Sequence, residues 1–250
     1  MKESVVPKAI LFDLDDTILR SSVTPESAWK EACEVSAQET KLFKAEELLS
    51  LINTIRDWYW SDPERHRAGR LNLSATRITI VRMALEKLGC ANERVAAKIA
   101  TDASNLREAS LELFPNAEDA LRKLVKKGVK LALLTNGAGE IQRVKIERFG
   151  LARYFHACLI EGEMGFGKPD QRVFETALAK LTVTPSQTWM VGDDIERDIA
   201  GAQNLGIFSV WCDFEKKGIP SGSKVVPDKI IRDIAELLPL IDDKQTSGRE

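Results

Sequence analysis

The sequence predicts an α/β fold: a mostly parallel sheet covered by helices on both faces, with a helical unit inserted after the first strand. Three observations predict it. Short, near-continuous apolar runs alternate with segments of helical periodicity, the pattern of strands buried on both faces. Several of these runs break into polar residues at their carboxyl ends, where open α/β sheets bind ligands. One long stretch, residues 20–106, carries helical segments and no comparable apolar run.

The first run, KAILFD (Lys8–Asp13), follows Pro7 and ends in a carboxylate, as a buried strand opening into a loop does. VKLALLTNG (Val129–Gly137), TWMVGDD (Thr188–Asp194) and GIFSVW (Gly206–Trp211) repeat the pattern, and FHACLIEG (Phe155–Gly162) is a weaker version. Between them, Pro115 opens a helix with Ala117, Ala120, Leu121, Leu124 and Val125 on one face and Gly128 as its stop. GEIQRVKIERFG closes in the same way at Gly150. Helices are expected over Asp170–Leu181, Ile195–Leu205 and Ile230–Ile241, with the tail DDKQTSGRE frayed beyond the last. In the insertion, helices are expected over Pro25–Lys41, Ala45–Trp60, Ala75–Gly89 and Asn92–Ala109, with SDPERHRAG as a polar break. The expected organisation is a Rossmann-like three-layer core, residues 1–19 and 107–250, and a helical cap, residues 20–106.

Composition narrows the function. The chain has 250 residues, 44% hydrophobic and 30% charged, an ordinary globular balance. Lys and Arg (36) nearly match Asp and Glu (38), for a net charge of -2, so nothing in the overall charge attracts a nucleic acid polymer or an anionic membrane. There is no signal-peptide pattern and no apolar run near the roughly 20 residues of a membrane span. Cys33, Cys90, Cys158 and Cys212 form no CxxC pair, and His66 and His156 are the only histidines, which gives a zinc site little support. Reduced thiols and a cytoplasmic location are expected. The partner expected is a small phosphorylated metabolite, and the chain a monomer or homodimer.

Strand alternation puts Asp13 and Asp15 on one side of the first strand end. Carboxylates brought together repel unless one is protonated or a cation lies between them. Magnesium, which takes oxygen ligands, supplies that charge, and Asp193 and Asp194 arrive from another strand end with further oxygens. Phosphoryl transfer needs a nucleophile, an acid and base for the leaving alcohol, a cation and an oxygen-binding loop. Asp13, Asp15, Lys168, and Thr135 with Asn136 are available for these tasks. Lys168 lies between Gly167 and Pro169, better fixed than a surface lysine.

Four motifs in order give the chain a resemblance to the haloacid dehalogenase (HAD) superfamily, specifically its phosphatases: DLDDT (Asp13–Thr17), LLTNG (Leu133–Gly137), Lys168 before Pro169, and VGDDIERDIAGAQNLG (Val191–Gly206). The resemblance implies Asp13 as nucleophile forming an aspartyl-phosphate, Asp15 as general acid and base, and Thr135, with the Asn136 region and Lys168, as phosphate ligands. It implies a magnesium site from Asp13, Asp193 and the Asp15 position through its backbone carbonyl, with Asp198 and Asp194 in support. An insertion after the first motif resembles the family's first type of helical cap. Asp15 separates phosphatases from dehalogenases and phosphonatases, which lack it. Phosphosugar mutases keep it but usually read DxDGV. The spacing from Asp193 to Asp198, followed by Ile199, Ala200 and Gly201, resembles the group of pyrimidine nucleotidases and N-acylneuraminate 9-phosphatases. A metal- or phosphate-binding module without turnover is the non-enzymatic alternative.

In the cap, Trp58, Tyr59 and Trp60 precede Arg65, His66, Arg67 and Arg70. They read either as a substrate cover, with aromatic stacking and a basic contact, or as buried aromatics before a solvated charged turn. Trp29 carries the same two readings. Arg20, Trp29, Trp58 and Arg67 are the candidate substrate contacts.

Overall fold

The computed structural model describes residues 6–247. The chain runs β1 (Ala9–Phe12), β2 (Leu19–Ser21), α1 (Pro25–Thr40), α2 (Ala45–Ser61), α3 (Pro63–Leu71), α4 (Leu73–Lys87), α5 (Glu93–Ala109), β3 (Leu111–Leu113) and α6 (Ala117–Lys126). It continues with β4 (Lys130–Thr135), α7 (Gly139–Arg148), β5 (Ala157–Ile160), α8 (Glu161–Met164), α9 (Gln171–Leu181), β6 (Thr188–Gly192), α10 (Gly201–Gln203), β7 (Phe208–Cys212), β8 (Lys229–Ile231) and α11 (Leu237–Ser247). Two compact units result. One comprises the chain up to Arg20 and from Leu113 onward, and the other is Ser21–Glu112.

The first unit is built on a six-stranded sheet in the order β5-β4-β1-β6-β7-β8, with every pair parallel. The chain steps outward from β1 in both directions, so the carboxyl end of β1, flanked by β4 and β6, is the topological switch point. Alternate residues of each strand serve opposite faces. Ile10, Phe12, Leu131, Leu133, Val191 and Val210 pack with Leu121 and Leu124 of α6 and Leu237 and Ile241 of α11. Ala9, Leu11, Ala132, Leu134 and Met190 pack with Val173, Phe174, Ala177 and Leu181 of α9. This is the Rossmann-like three-layer architecture that the strand pattern predicts.

The second unit is helical with its own core. Trp29 and Ala32 of α1, Leu48 and Ile52 of α2, Ile80 and Leu85 of α4, and Ile99 and Ala103 of α5 are all buried in it. Thr24 starts α1 by accepting a hydrogen bond from the Ser27 amide, and Asn92 does the same for α5 at Val95.

Two segments differ from expectation, and local capping explains both. SDPERHRAG is largely helix, α3, because the Asp62 side chain accepts from the Arg65 amide and Pro63 presets the first turn. The predicted helix Ile230–Ile241 begins instead as the edge strand β8. Glu236 accepts from the Asp233 amide while Asp233 accepts from Ala235, a reciprocal cap that starts helical structure only at Ile234. The tail expected to fray is helical through Ser247, and its last three residues lie outside the described ones. Among the described residues, no helix is long and apolar enough to cross a membrane.

Phe174 is fully buried where α9 meets the sheet. Phe174→Ala is expected to destabilise the sheet unit by about 3–5 kcal/mol, the usual result of emptying an aromatic core site. Urea unfolding followed by circular dichroism measures it, and a loss below about 1 kcal/mol means the site collapses around the gap.

Candidate active site

Three neighbouring strand ends build the site. Asp13 follows β1, and its amide donates to the Val191 carbonyl of β6 at 2.9 Å, so the sheet ladder itself places this residue. Asp13 is buried, as are Lys168 and Asp198. The Lys168 ammonium lies 2.5 Å from Asp13 Oδ1 and 2.7 Å from Asp198 Oδ1, bridging two carboxylates from different segments. Burial works against its charge, but Asp13 and Asp198 outweigh that and raise its pKa.

The lysine is held by its backbone. Asn136 accepts from the Lys168 amide at 2.8 Å and donates Nδ2 to the Lys168 carbonyl at 2.7 Å. Both polar ends of the Asn136 side chain are therefore committed to the Lys168 loop. Gly167 permits the approach: a Cβ there would stand 2.5 Å from Asn136 Oδ1. Gly192 does the same for Asp198, whose carboxylate occupies the space where a Cβ would stand.

The loop after β6 divides its acids. Asp194 caps the following helical turn by accepting from the Glu196 and Arg197 amides, and it pairs with the Arg197 guanidinium. Burial opposes its charge, yet Arg197 and these amides hold its pKa below the ordinary value. The Asp194 amide donates to Asp198 Oδ2 at 3.0 Å. Asp193 has no comparable cation. Its backbone carbonyl accepts from Trp211 Nε1 at 2.7 Å, and its carboxylate receives a long hydrogen bond from Thr17 at 3.4 Å. Burial and the nearby Asp13 and Asp198 push its pKa from 3.8 up to about 9.

Asp13, Asp193 and Asp198 offer carboxylate oxygens that all lie within 4.8 Å of one another. Lys168 is the one ammonium among them. A buried oxygen cluster with more negative than positive charge fits a hard divalent cation, and the raised Asp193 pKa reflects its burial and the repulsion among these acids. The residues present therefore suit a divalent metal.

Asp15 is placed differently. Its carboxylate accepts from Lys145 Nζ at 2.7 and 2.9 Å and from Gln142 Nε2 at 2.8 Å. Gln142 also donates to Thr135 Oγ1, so one buried amide links the hydroxyl after β4 to the second aspartate of the first motif. Gln142, Lys145 and Ile146 share a face of α7 by their spacing. Sequence reading missed Gln142 and Lys145. The available signal was a glutamine on the same face as Ile146, and both are almost fully buried. It also missed Glu161, a buried acid whose Oε2 accepts from the Gly137 amide at 3.0 Å.

The candidate cap contacts are dispersed. Trp29 sits in the core of the helical unit. Trp58 is exposed, with the Arg65 guanidinium 4.2 Å from its ring centroid. Arg67 is exposed on α3. Arg20 belongs to the sheet unit and lies 5.5 Å from the Phe114 ring centroid.

The Asp193 shift sets a pH dependence. Between about pH 4 and about pH 9 the folded chain holds protons that the unfolded chain has released, on Asp193 throughout and on Asp198 up to about pH 7. Stability without a divalent cation therefore falls as pH rises through that window. A cation displaces the proton, so the rise in melting temperature on adding magnesium chloride should be larger at pH 8.5 than at pH 6. Differential scanning fluorimetry reads this, and Asp193→Asn should flatten the dependence. An equal rise at both pH values would place the uptake elsewhere.

Residues 7–206 match the model of the haloacid dehalogenase-like hydrolases. A phosphoserine phosphatase from Thermus thermophilus is 32% identical over 247 residues, covering 92% of this chain and 97% of that protein. Among solved structures, the HAD-hydrolase YfnB from Bacillus subtilis, bound to magnesium, aligns with a TM-score of 0.70 at 21% identity, over 96% of this chain and 100% of that one. A 2-haloacid dehalogenase from Pseudomonas syringae aligns with a TM-score of 0.62 at 28% identity, over 96% and 99%. The family match extends from just before β1, across the helical insertion, to just beyond α10, and the chain belongs to the haloacid dehalogenase-like hydrolases.

Proposed function

We propose that this hydrolase is a magnesium-dependent phosphatase that cleaves a small, soluble phosphate monoester through an aspartyl-phosphate on Asp13. The observation that carries the reading is the separation of two carboxylates within one short motif. Asp13 lies in the charge cluster with Lys168, Asp193 and Asp198, whereas Asp15 is held apart by Lys145 and Gln142. On this reading Asp13 attacks and Asp15 handles the proton.

In the first step an Asp13 carboxylate oxygen forms a bond to phosphorus and the ester P–O bond breaks. Protonated Asp15 gives its proton to the departing alkoxide, which leaves as the alcohol. In the second step Asp15 takes a proton from water as that oxygen bonds to phosphorus. The P–O bond to Asp13 breaks, inorganic phosphate leaves and Asp13 is restored. Lys168 faces charge on the phosphoryl oxygens, and the Thr135 hydroxyl contributes a hydrogen bond to them. Asp13 and Asp193, with the Asp15 backbone carbonyl, would hold the magnesium, and Asp198 and Asp194 support the loop. When bound, the metal supplies positive charge toward the transferring phosphoryl group.

The dehalogenase likeness favours a second reading, carbon–halogen cleavage at the same Asp13. A departing halide needs no proton, so a carboxylate held in place by three hydrogen bonds at position 15 speaks for the phosphatase. The phosphoserine phosphatase likeness supports a small-acid phosphate as substrate. The spacing of the fourth motif supports the nucleotidase and N-acylneuraminate 9-phosphatase group. Four free thiols, with Cys33 pushed up to about 12 by burial, fit a cytoplasmic enzyme.

Asp13→Asn is expected to abolish magnesium-dependent phosphate release, and sustained turnover by that variant would remove the nucleophile assignment. Asp15→Asn should lower kcat about 10²–10⁴-fold on an alkyl phosphate. On p-nitrophenyl phosphate, whose leaving group needs little protonation, the loss should be much smaller. Equal losses on both esters would show that Asp15 does not protonate the leaving group.

A further inference from the structure

The helical unit contains a cavity of about 140 Å³ at one end of its bundle, lined by Trp29, Arg56, Trp60, Arg77, Ile80 and Arg107 among others. Trp29 lies near the start of α1 and Arg77 near the start of α4. Arg56 and Trp60 lie toward the end of α2, and Arg107 is in the last turn of α5. Three helices thus bring three guanidinium groups to one space, and α1 adds Trp29. No carboxylate is among the lining residues.

The hydrogen bonds these arginines make go to neutral partners. Arg56 donates to Asn53 Oδ1 at 3.0 Å and lies 5.9 Å from the Trp29 ring centroid. Arg77 donates to Ser104 Oγ at 2.7 Å. The acids that act on them, Asp57 and Glu26 on Arg56 and Glu108 on Arg77, do so at longer range. Burial lowers the pKa of Arg77 to about 10, and repulsion from Arg107 and Arg56 adds to the shift. Burial likewise lowers Arg56, against Asp57 and Glu26, with Arg107 opposing its charge.

Helix polarity does not account for the cluster. A cation in the last turn of α5 is favoured by the helix dipole, which explains Arg107 alone. Arg77 sits close to the amino end of α4, where a cation is disfavoured, and α4 begins with no side-chain cap. Two helix starts and two helix ends meet here, so their dipoles largely cancel and the arginines set the sign. Arginine is also the side chain best suited to grip a carboxylate or phosphate with paired donors.

We propose that this cavity is a binding site for an anionic group, a carboxylate or phosphate of a small molecule, held by Arg56, Arg77 and Arg107 with Trp29 and Trp60 against its apolar part. The volume is several times the roughly 30 Å³ that a water molecule occupies in the liquid, enough for such a group. The anion would supply the negative charge that the lining lacks. Two sources share this chemistry: a second acidic group on the substrate, or a separate effector.

Succinate is the probe, because the catalytic unit is unchanged in the variants and any weak binding there cancels in the comparison. Full-length wild type, Arg107→Met and Arg77→Met are titrated while melting temperature and tryptophan emission are followed. Wild type should show a saturable rise in melting temperature and an emission change. Both variants should bind at least about tenfold more weakly, as expected for the loss of one charged hydrogen-bonding partner. Since Arg77→Met removes a guanidinium that burial and two neighbouring cations oppose, its unliganded form should melt no lower than wild type. Succinate responses equal in all three proteins, or absent in wild type, would overturn the site. The source follows from KM. A rise in the variants confined to esters that also carry a carboxylate identifies the substrate's own acid. Unchanged KM on every ester, with the succinate response lost, identifies a separate ligand.

Discussion

The Lys168 ammonium, buried between Asp13 and Asp198, is the interaction on which the site depends. The neighbouring strands β1 and β6 deliver Asp13 and Asp193 to one place, and the helical turn after β6 adds Asp198, three acids that repel one another. Lys168 makes that convergence tolerable, and much of the surrounding geometry delivers it. Asn136 clamps its backbone, Gly167 lets the clamp approach, and Gly192 leaves room for the Asp198 carboxylate that receives it. None of these residues needs to touch a substrate. One lysine cannot neutralise three carboxylates, and both Asp193 and Asp198 are pushed above the ordinary carboxylate range. The site is thus built short of positive charge, the condition under which a divalent cation binds strongly and a phosphoryl group is met by a dense field.

A second network holds Asp15, the proposed acid and base, apart from that charge cluster. Lys145 and Gln142 project from one face of α7 and hold Asp15 by both oxygens, and Gln142 reaches Thr135 as well. The proposed acid and base group and the hydroxyl proposed to bind phosphate are therefore tied to one helix. A shift of α7 would move both together, which preserves their mutual geometry better than two independent loops could. Two aspartates separated by a single residue stand in different surroundings, the general condition under which like side chains divide acid–base work.

The parallel sheet was readable because strands buried on both faces leave a strong, context-free signal, and Asp13, Thr135 and Asp193 were readable because each stands where such a run breaks. Where local capping competes with hydrophobic pattern, the reading failed. The polar stretch around Pro63 is helical because Asp62 caps it, and β8 lies where Ile230 and Ile231 looked like the opening of a helix. At the site, residues that act through others were the ones missed. Gln142, Lys145 and Glu161 lie outside the four motifs, and their partners are distant in sequence. Asn136 carried a motif position but not its particular task, since a side chain bonded to a backbone 32 residues away leaves no local trace.

The same physics that identifies the acid cluster bears on the helical unit. Arg65, half-buried beside the exposed Trp58 ring, donates to the Trp58 and Tyr59 carbonyls and so is satisfied locally, which says little about binding. Arg56 and Arg77 are different, because burial and neighbouring guanidiniums both act against their charge. The bundle already has a continuous apolar core in which Trp29, Ile80 and Ala103 are buried, so it does not need arginines to fill this end. A lining of leucines or methionines would satisfy packing at lower electrostatic cost. That three arginines from three helices stand there instead, beside two tryptophans, is what a surface shaped to receive an anion looks like, and packing alone gives no reason for it.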